Sequence, residues 1–86
     1  DVETGVKLLR EAAAALKPYD AELANKVNIY ADMEQEELLG REGSEGEAAM
    51  LKVAAKKLSA SNPDLAKRLD VYADKEIKEQ AEEDQE

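Results

Sequence analysis

LANKVNIYADME, residues 23–34, and LAKRLDVYADKE, residues 65–76, are two versions of one segment. The same shift of 42 positions also places Leu9 on Leu51 and Leu16 on Leu58. Self-similarity at a fixed period indicates that one supersecondary unit has been duplicated. We therefore expect a fold built from two copies of the same unit.

Each repeat contains two stretches of apolar residues at helical spacing. They predict helices over about residues 3–17, 21–39, 45–59 and 63–78. Leu38 and Ile77 fall on the predicted inward faces. Pro18 ends the first helix, and Asn62 before Pro63 is a strong start signal for the fourth. The turns inside each repeat are only a few residues long, so each helix pair must run antiparallel.

The clearest break in the chain is the glycine-containing stretch 40–46 between the repeats. Gly40 is placed to cap the second helix, and Ser44 with Glu47 has the spacing of a capping box for the third. The expected organisation is one domain, residues 1–78, with hairpins over 3–39 and 45–78. Acidic residues oppose the dipole at a helix C-terminus, so the tail 79–86 is expected to fray.

The fold class follows from the pairing of the two hairpins. A lone hairpin leaves half of its apolar surface in water, so two must pack together. The simplest result is an all-α, four-helix bundle with up-down-up-down topology. A HEAT-like stacked pair and hairpins exchanged between two chains are the alternatives.

Composition limits the possible functions. The chain has no cysteine and no histidine, so it lacks disulfides, thiolate sites and the usual proton carrier at neutral pH. We therefore expect neither an enzyme nor a bound cofactor. A net charge of -9 disfavours binding to nucleic acid or to an anionic membrane surface.

The compartment is only weakly indicated. No apolar run approaches the length of a membrane span and no signal-peptide pattern is present, which slightly favours the cytoplasm. The chain begins at Asp1 without a methionine, as expected for an excised domain or a processed product.

Glu34 and Glu76 occupy equivalent positions of the repeats and fall within the apolar arcs of their helices. Two inward carboxylates resemble those of carboxylate-bridged metal sites, but such sites also use histidine. The longer second and fourth helices place both residues near the open ends of the hairpins, where their carboxylates reach water. No metal site is therefore expected. Tyr30 and Tyr72 are expected to bury their rings and keep their hydroxyls at the rim.

Four apolar residues lie off the faces that pack within a hairpin: Ile29, Met33, Val53 and Val71. They either form a surface for a partner or close one hairpin against the other. With the first interpretation, the chain is a non-enzymatic interaction or scaffold module that binds another protein or a second copy of itself. The alternative is a carrier of a small apolar ligand or lipid, whose hairpins open around the guest.

Overall fold

A computed structural model describes residues 2–38 and 41–84. Its four helices are α1 (Val2–Leu16), α2 (Ala21–Gln35), α3 (Arg41–Leu58) and α4 (Pro63–Asp84), and no strand occurs in these ranges. The closest packing joins α1 to α2 and α3 to α4, and the two hairpins pack against each other. The predicted all-α bundle of two repeated hairpins is confirmed.

The duplication is visible in the helix caps. The Asp20 side chain accepts a hydrogen bond from the Leu23 amide at 3.1 Å, and the equivalent Asn62 accepts one from Leu65 at 3.2 Å. Each bond satisfies one of the free amides in the first turn of a helix. The second helix of each hairpin therefore starts at the same point of the repeat.

Ion pairs and hydrogen bonds join the two helices of each hairpin at equivalent positions of the repeat. A basic residue of the first helix reaches two polar residues one turn apart on the second. In the first repeat these are Arg10 with Asn28 and Asp32; in the second they are Lys52 with Asp70 and Asp74. Because these pairs are partly or largely exposed to water, each stabilises the fold only weakly. They fix the register of the hairpin more than they stabilise it.

The core consists of alanine and medium-sized aliphatic side chains. Its largest fully buried members are Leu9, Leu16, Leu51, Leu58, Leu65, Leu69 and Val27. Alanines between them, such as Ala12 and Ala54, are also fully buried. Small side chains let helices approach closely, and the leucines fill the space that remains.

The C-terminus of α2 differs from the prediction. The helix ends at Gln35 rather than at residue 39, because Glu37 adopts a left-handed backbone with φ 57°. The Leu38 amide then donates to the Met33 carbonyl at 2.8 Å, and the Glu37 amide donates to the Glu34 carbonyl at 3.1 Å. This is a Schellman cap. Leu38 lies beyond the helix and is 62% exposed, so its predicted inward position is wrong.

The start of α3 also differs. The helix begins at Arg41 and runs through Gly43 and Gly46, so most of the predicted break is helical; Gly40 lies outside the described residues. The predicted capping box is wrong, because Glu47 lies well inside the helix and its side chain is buried.

Helix α4 continues to Asp84, beyond the expected end near residue 78. Residues 85 and 86 of the predicted acidic tail lie outside the described residues, and fraying of the tail stays a prediction. Ile77 is 50% exposed, so its predicted inward position is wrong.

Candidate functional site

Three carboxylates meet at one end of the bundle. They belong to Glu34 of α2, Glu47 of α3 and Glu76 of α4, and one oxygen from each lies within 4.8 Å of the others. Glu34 and Glu76 are partly exposed, whereas Glu47 is fully buried. The two glutamates paired by the repeat are therefore together in space, and a third residue joins them.

The helical phase of α3 explains the third residue. Glu47 precedes Leu51 by four residues and Leu58 by eleven, and both leucines are fully buried. Residues at these intervals share one face of a helix. Glu47 therefore occupies a core position, where a leucine or alanine would be the usual residue.

The environment of Glu47 disfavours its charged form. Neither of its carboxyl oxygens has a hydrogen-bond partner among the described residues. Burial, followed by repulsion from Glu34 and Glu76, raises the pKa of Glu47 from 4.5 to about 9. With no cation bound, Glu47 is therefore protonated at neutral pH.

Tyr72 adds a fourth oxygen to the cluster. Its hydroxyl donates to Oε1 of Glu34 at 3.1 Å. Burial, with the nearby carboxylates, raises the pKa of Tyr72, so the phenol stays neutral and remains a donor. The hydroxyl lies 2.7 Å from the place where a Cβ on Gly5 would stand. The ring reaches the cluster because residue 5 of α1 is a glycine.

A pocket of about 320 Å³ opens onto the cluster from outside. Glu34, Tyr72 and Glu76 line it, together with Gly5 of α1. Water and small ions can therefore reach two of the carboxylates. Glu47 is the innermost of the three, since it is fully buried and does not line the pocket.

The predicted partner residues occupy two sides of the bundle. Ile29 is 56%, Val53 49% and Val71 60% exposed, and Met33 is partly exposed. Val71 lines a groove of about 540 Å³ between α1 and α4, together with Leu8. These residues therefore lie at the edges of the hairpin interface rather than inside it.

Val53 lies on the opposite side, between α2 and α3, where it lines a smaller cavity with Leu23 and Lys26. Ile29 and Met33 follow Lys26 by three and seven residues, so they continue the same face of α2. Ile29, Met33 and Val53 thus belong to one surface, which we call the α2/α3 groove. Val71 does not belong to it.

The two grooves are equivalent in the repeat but differ chemically. Arg68 crosses the α1/α4 groove and donates to both carboxylate oxygens of Glu11, at 3.0 and 3.3 Å. The residues at the equivalent positions are Lys26 and Val53, where no such pair is possible. Lys57 and Asp20 bridge α3 and α2 only at the far end, at 3.1 Å. Among the described residues, no ion pair like that of Arg68 and Glu11 crosses the middle of the α2/α3 groove, where Val53 lies beside Lys26.

The sequence pairs Glu34 with Glu76 through the repeat but predicts no metal site there, and it does not indicate that Glu47 joins them. The signal was present, because counting back from the buried leucines of α3 places Glu47 on the core face. The spacing from Ser44 instead predicts that Glu47 is a capping residue, because the glycines on either side indicate a loop. The docking of the hairpins, which joins Glu47 to the other two, has no local signature.

No family model, curated protein or solved structure matches the chain. None of the described helices has both the length and the apolar character needed to cross a bilayer.

Proposed function

We propose that this chain is a non-enzymatic interaction module that binds a basic amphipathic helix of a partner protein along the α2/α3 groove. The proposal rests mainly on the exposed apolar residues Ile29 and Val53 and the partly exposed Met33, which share that groove. Exposed apolar residues that cluster on one face are typical of interaction sites.

The shape of the groove favours a helix as its occupant. The groove runs between two antiparallel helices, and its apolar residues recur at intervals of a helical turn. An amphipathic helix docks into such a groove through side chains spaced three or four residues apart.

The charge of the chain favours a basic partner. With a net charge of -9, two copies of this protein repel each other, whereas a helix with lysine and arginine on its polar face is attracted. A partner of opposite charge is therefore favoured over self-association.

The carrier alternative has less support. An opening bundle must expose its core, which here is a tightly spaced set of leucines and alanines. The larger α1/α4 groove is a surface feature, crossed by the Glu11–Arg68 ion pair. A ligand could reach it without any opening of the hairpins, so it gives no particular support to that mechanism.

The proposal can be tested with a synthetic helical peptide of leucine and lysine in amphipathic order. Its counterpart, with glutamate in place of lysine, serves as the charge control. Titration of the ¹⁵N-labelled protein should give saturable chemical-shift changes centred on Ile29, Met33 and Val53 with the basic peptide only.

Two matched variants locate the binding surface. Ile29→Lys should weaken binding about tenfold or more, as loss of a central apolar contact does. Val71→Lys adds the same charge on the other side of the bundle and should bind almost as the parent does. Equal weakening in both variants, or equal binding of both peptides, would overturn the proposal.

A further inference from the structure

We propose that Glu34, Glu47 and Glu76 form a binding site for a hard divalent cation of the Ca²⁺ or Mn²⁺ type. The site lies at the end of the bundle, where α2, α3 and α4 converge. It is separate from the α2/α3 groove and does not depend on the function proposed above.

The spacing of the carboxylates suits a single ion. Ca²⁺ binds oxygen at about 2.3–2.6 Å, so any two of its oxygen ligands lie at most about 4.6–5.2 Å apart. One oxygen from each glutamate already lies within 4.8 Å of the others. Small side-chain rotations therefore bring all three oxygens into contact with one ion, without movement of the helices.

The buried carboxyl of Glu47 is the second, independent observation. It is 0% exposed, and both oxygens lack a hydrogen-bond donor among the described residues. Buried polar groups in folded proteins nearly always have a partner, and leaving one unsatisfied is costly. An ion held between Glu47 and the other two carboxylates would supply this missing partner.

Tyr72 orients the carboxylate of Glu34 without itself binding the ion. Its hydroxyl holds Oε1 of Glu34 at 3.1 Å, which leaves Oε2 available to an ion. A hydrogen bond of this kind to a ligating carboxylate fixes its direction. Tyr72 is therefore a positioning residue.

The donor set selects the class of metal. Carboxylate oxygens suit Ca²⁺, Mn²⁺ and Mg²⁺, whereas Zn²⁺ and Cu²⁺ sites are usually built with imidazole or thiolate, and the chain has no histidine or cysteine. Mg²⁺ demands near-ideal octahedral geometry and gives up water reluctantly. A flexible cluster beside a pocket of about 320 Å³ better suits an ion that tolerates irregular coordination and completes it with water.

Binding can be measured directly by calorimetry. CaCl₂ and MnCl₂ are titrated separately into metal-free protein at pH 8 and moderate ionic strength, and at least one should bind one-to-one. The same ion should raise the melting temperature in proportion to the logarithm of its concentration. Tb³⁺, excited through tyrosine, gives a second readout, because Tyr72 lies beside the site. Tyr72→Phe should reduce this luminescence.

Matched variants separate the site from general acidity. Glu47→Gln removes the buried carboxyl with little change in shape and should weaken binding at least a hundredfold while circular dichroism stays helical. Glu36→Gln removes an exposed carboxyl just beyond α2 and should bind as the parent does. If Ca²⁺ and Mn²⁺ both fail to bind at millimolar concentration, or if the two variants lose binding equally, the proposal is wrong.

Discussion

Glu47 of α3 stands at the position in the second hairpin that Gly5 of α1 holds in the first. Both residues are buried at the same end of the bundle. Gly5 lies against the ring of Tyr72, and Glu47 is close enough to raise the pKa of the Tyr72 hydroxyl. The second repeat thus supplies the buried carboxyl group of Glu47, and the first supplies, at Gly5, the space that the Tyr72 ring occupies. The site exists because the duplicated hairpins differ at this position, while Glu34 and Glu76 are the same residue in both repeats.

The first prediction concerns pH. The pKa of Glu47 is raised from 4.5 in the unfolded chain to about 9 in the folded one. The folded state therefore binds this proton more tightly than the unfolded state, so the contribution of Glu47 to stability is fully present below pH 4.5 and is lost as pH rises toward 9. Each pH unit in this window should remove up to about 1.4 kcal/mol of unfolding free energy. Urea unfolding from pH 5 to 9 in EDTA measures the slope.

The other titrating groups near Glu47 act in the same direction. Burial and the neighbouring Glu34 raise the pKa of Glu76, and the pKa of Tyr72 is also raised. Elsewhere in the protein, the cap bond to the Leu23 amide lowers the pKa of Asp20, so the contribution of Asp20 to stability is lost only in acid, outside the measured pH range.

The control variant is Glu47→Gln, which should remove most of the dependence of stability on pH and be more stable than the parent at pH 8. A parent whose stability rises with pH would contradict the assignment.

The second prediction compares two helical glycines. A Cβ at Gly5 would lie 2.7 Å from the hydroxyl and 3.1–3.2 Å from ring carbons of Tyr72, so the whole ring must move. Gly5→Ala should destabilise the fold by about 1–3 kcal/mol, less a helix-propensity gain of up to about 1 kcal/mol.

Gly46→Ala is the matched control. There the Cβ meets only the Tyr30 hydroxyl closely, at 2.9 Å, with the next ring atom at 4.0 Å. A small rotation of that ring relieves the contact, so the variant should be neutral or more stable than the parent. Thermal melts of both proteins make the comparison, and a Gly5→Ala variant as stable as Gly46→Ala would refute the proposed role of Gly5.

The third prediction concerns the end of α2. Glu37 holds a left-handed conformation, which costs about 1 kcal/mol for a residue with a Cβ and almost nothing for glycine. Glu37→Gly should therefore stabilise the protein by about 0.5–1 kcal/mol in chemical denaturation. Glu36 has φ -93°, so Glu36→Gly should bring no gain. Equal effects at the two positions would show that the backbone angle is not the cause.

The sequence was sufficient for the hairpins because their signals are local. The repeat, Pro18 and the cap at Asn62 fix where helices begin and turn, and the structure retains them. The start of α3 was missed because glycine disfavours helices by only about 1 kcal/mol, which packing against the rest of the bundle can outweigh. Here the Tyr30 hydroxyl lies against Gly46.

The meeting of the three glutamates is a different kind of feature. It depends on how α2, α3 and α4 dock, and the positions of Glu34 and Glu47 in the chain do not contain that information. Burial of a carboxyl is also unfavourable, so composition and periodicity alone argue against it. The structure was therefore needed to identify the cluster.

The fourth prediction uses the difference between the two grooves. Val53 stands where the other groove has Glu11, and Lys26 stands where it has Arg68. Val53→Glu should therefore add an ion pair with Lys26 across the α2/α3 groove. The stability of the protein should change by no more than about 1 kcal/mol, because the position is half exposed.

The same variant tests how the groove binds a peptide. The added carboxylate attracts a basic peptide, but the apolar contact of Val53 is lost. If the groove binds through apolar contacts, affinity for the leucine-lysine peptide should fall in an NMR titration despite the extra negative charge. Unchanged or tighter binding would show that charge alone holds the peptide and that the α2/α3 groove is not its docking site.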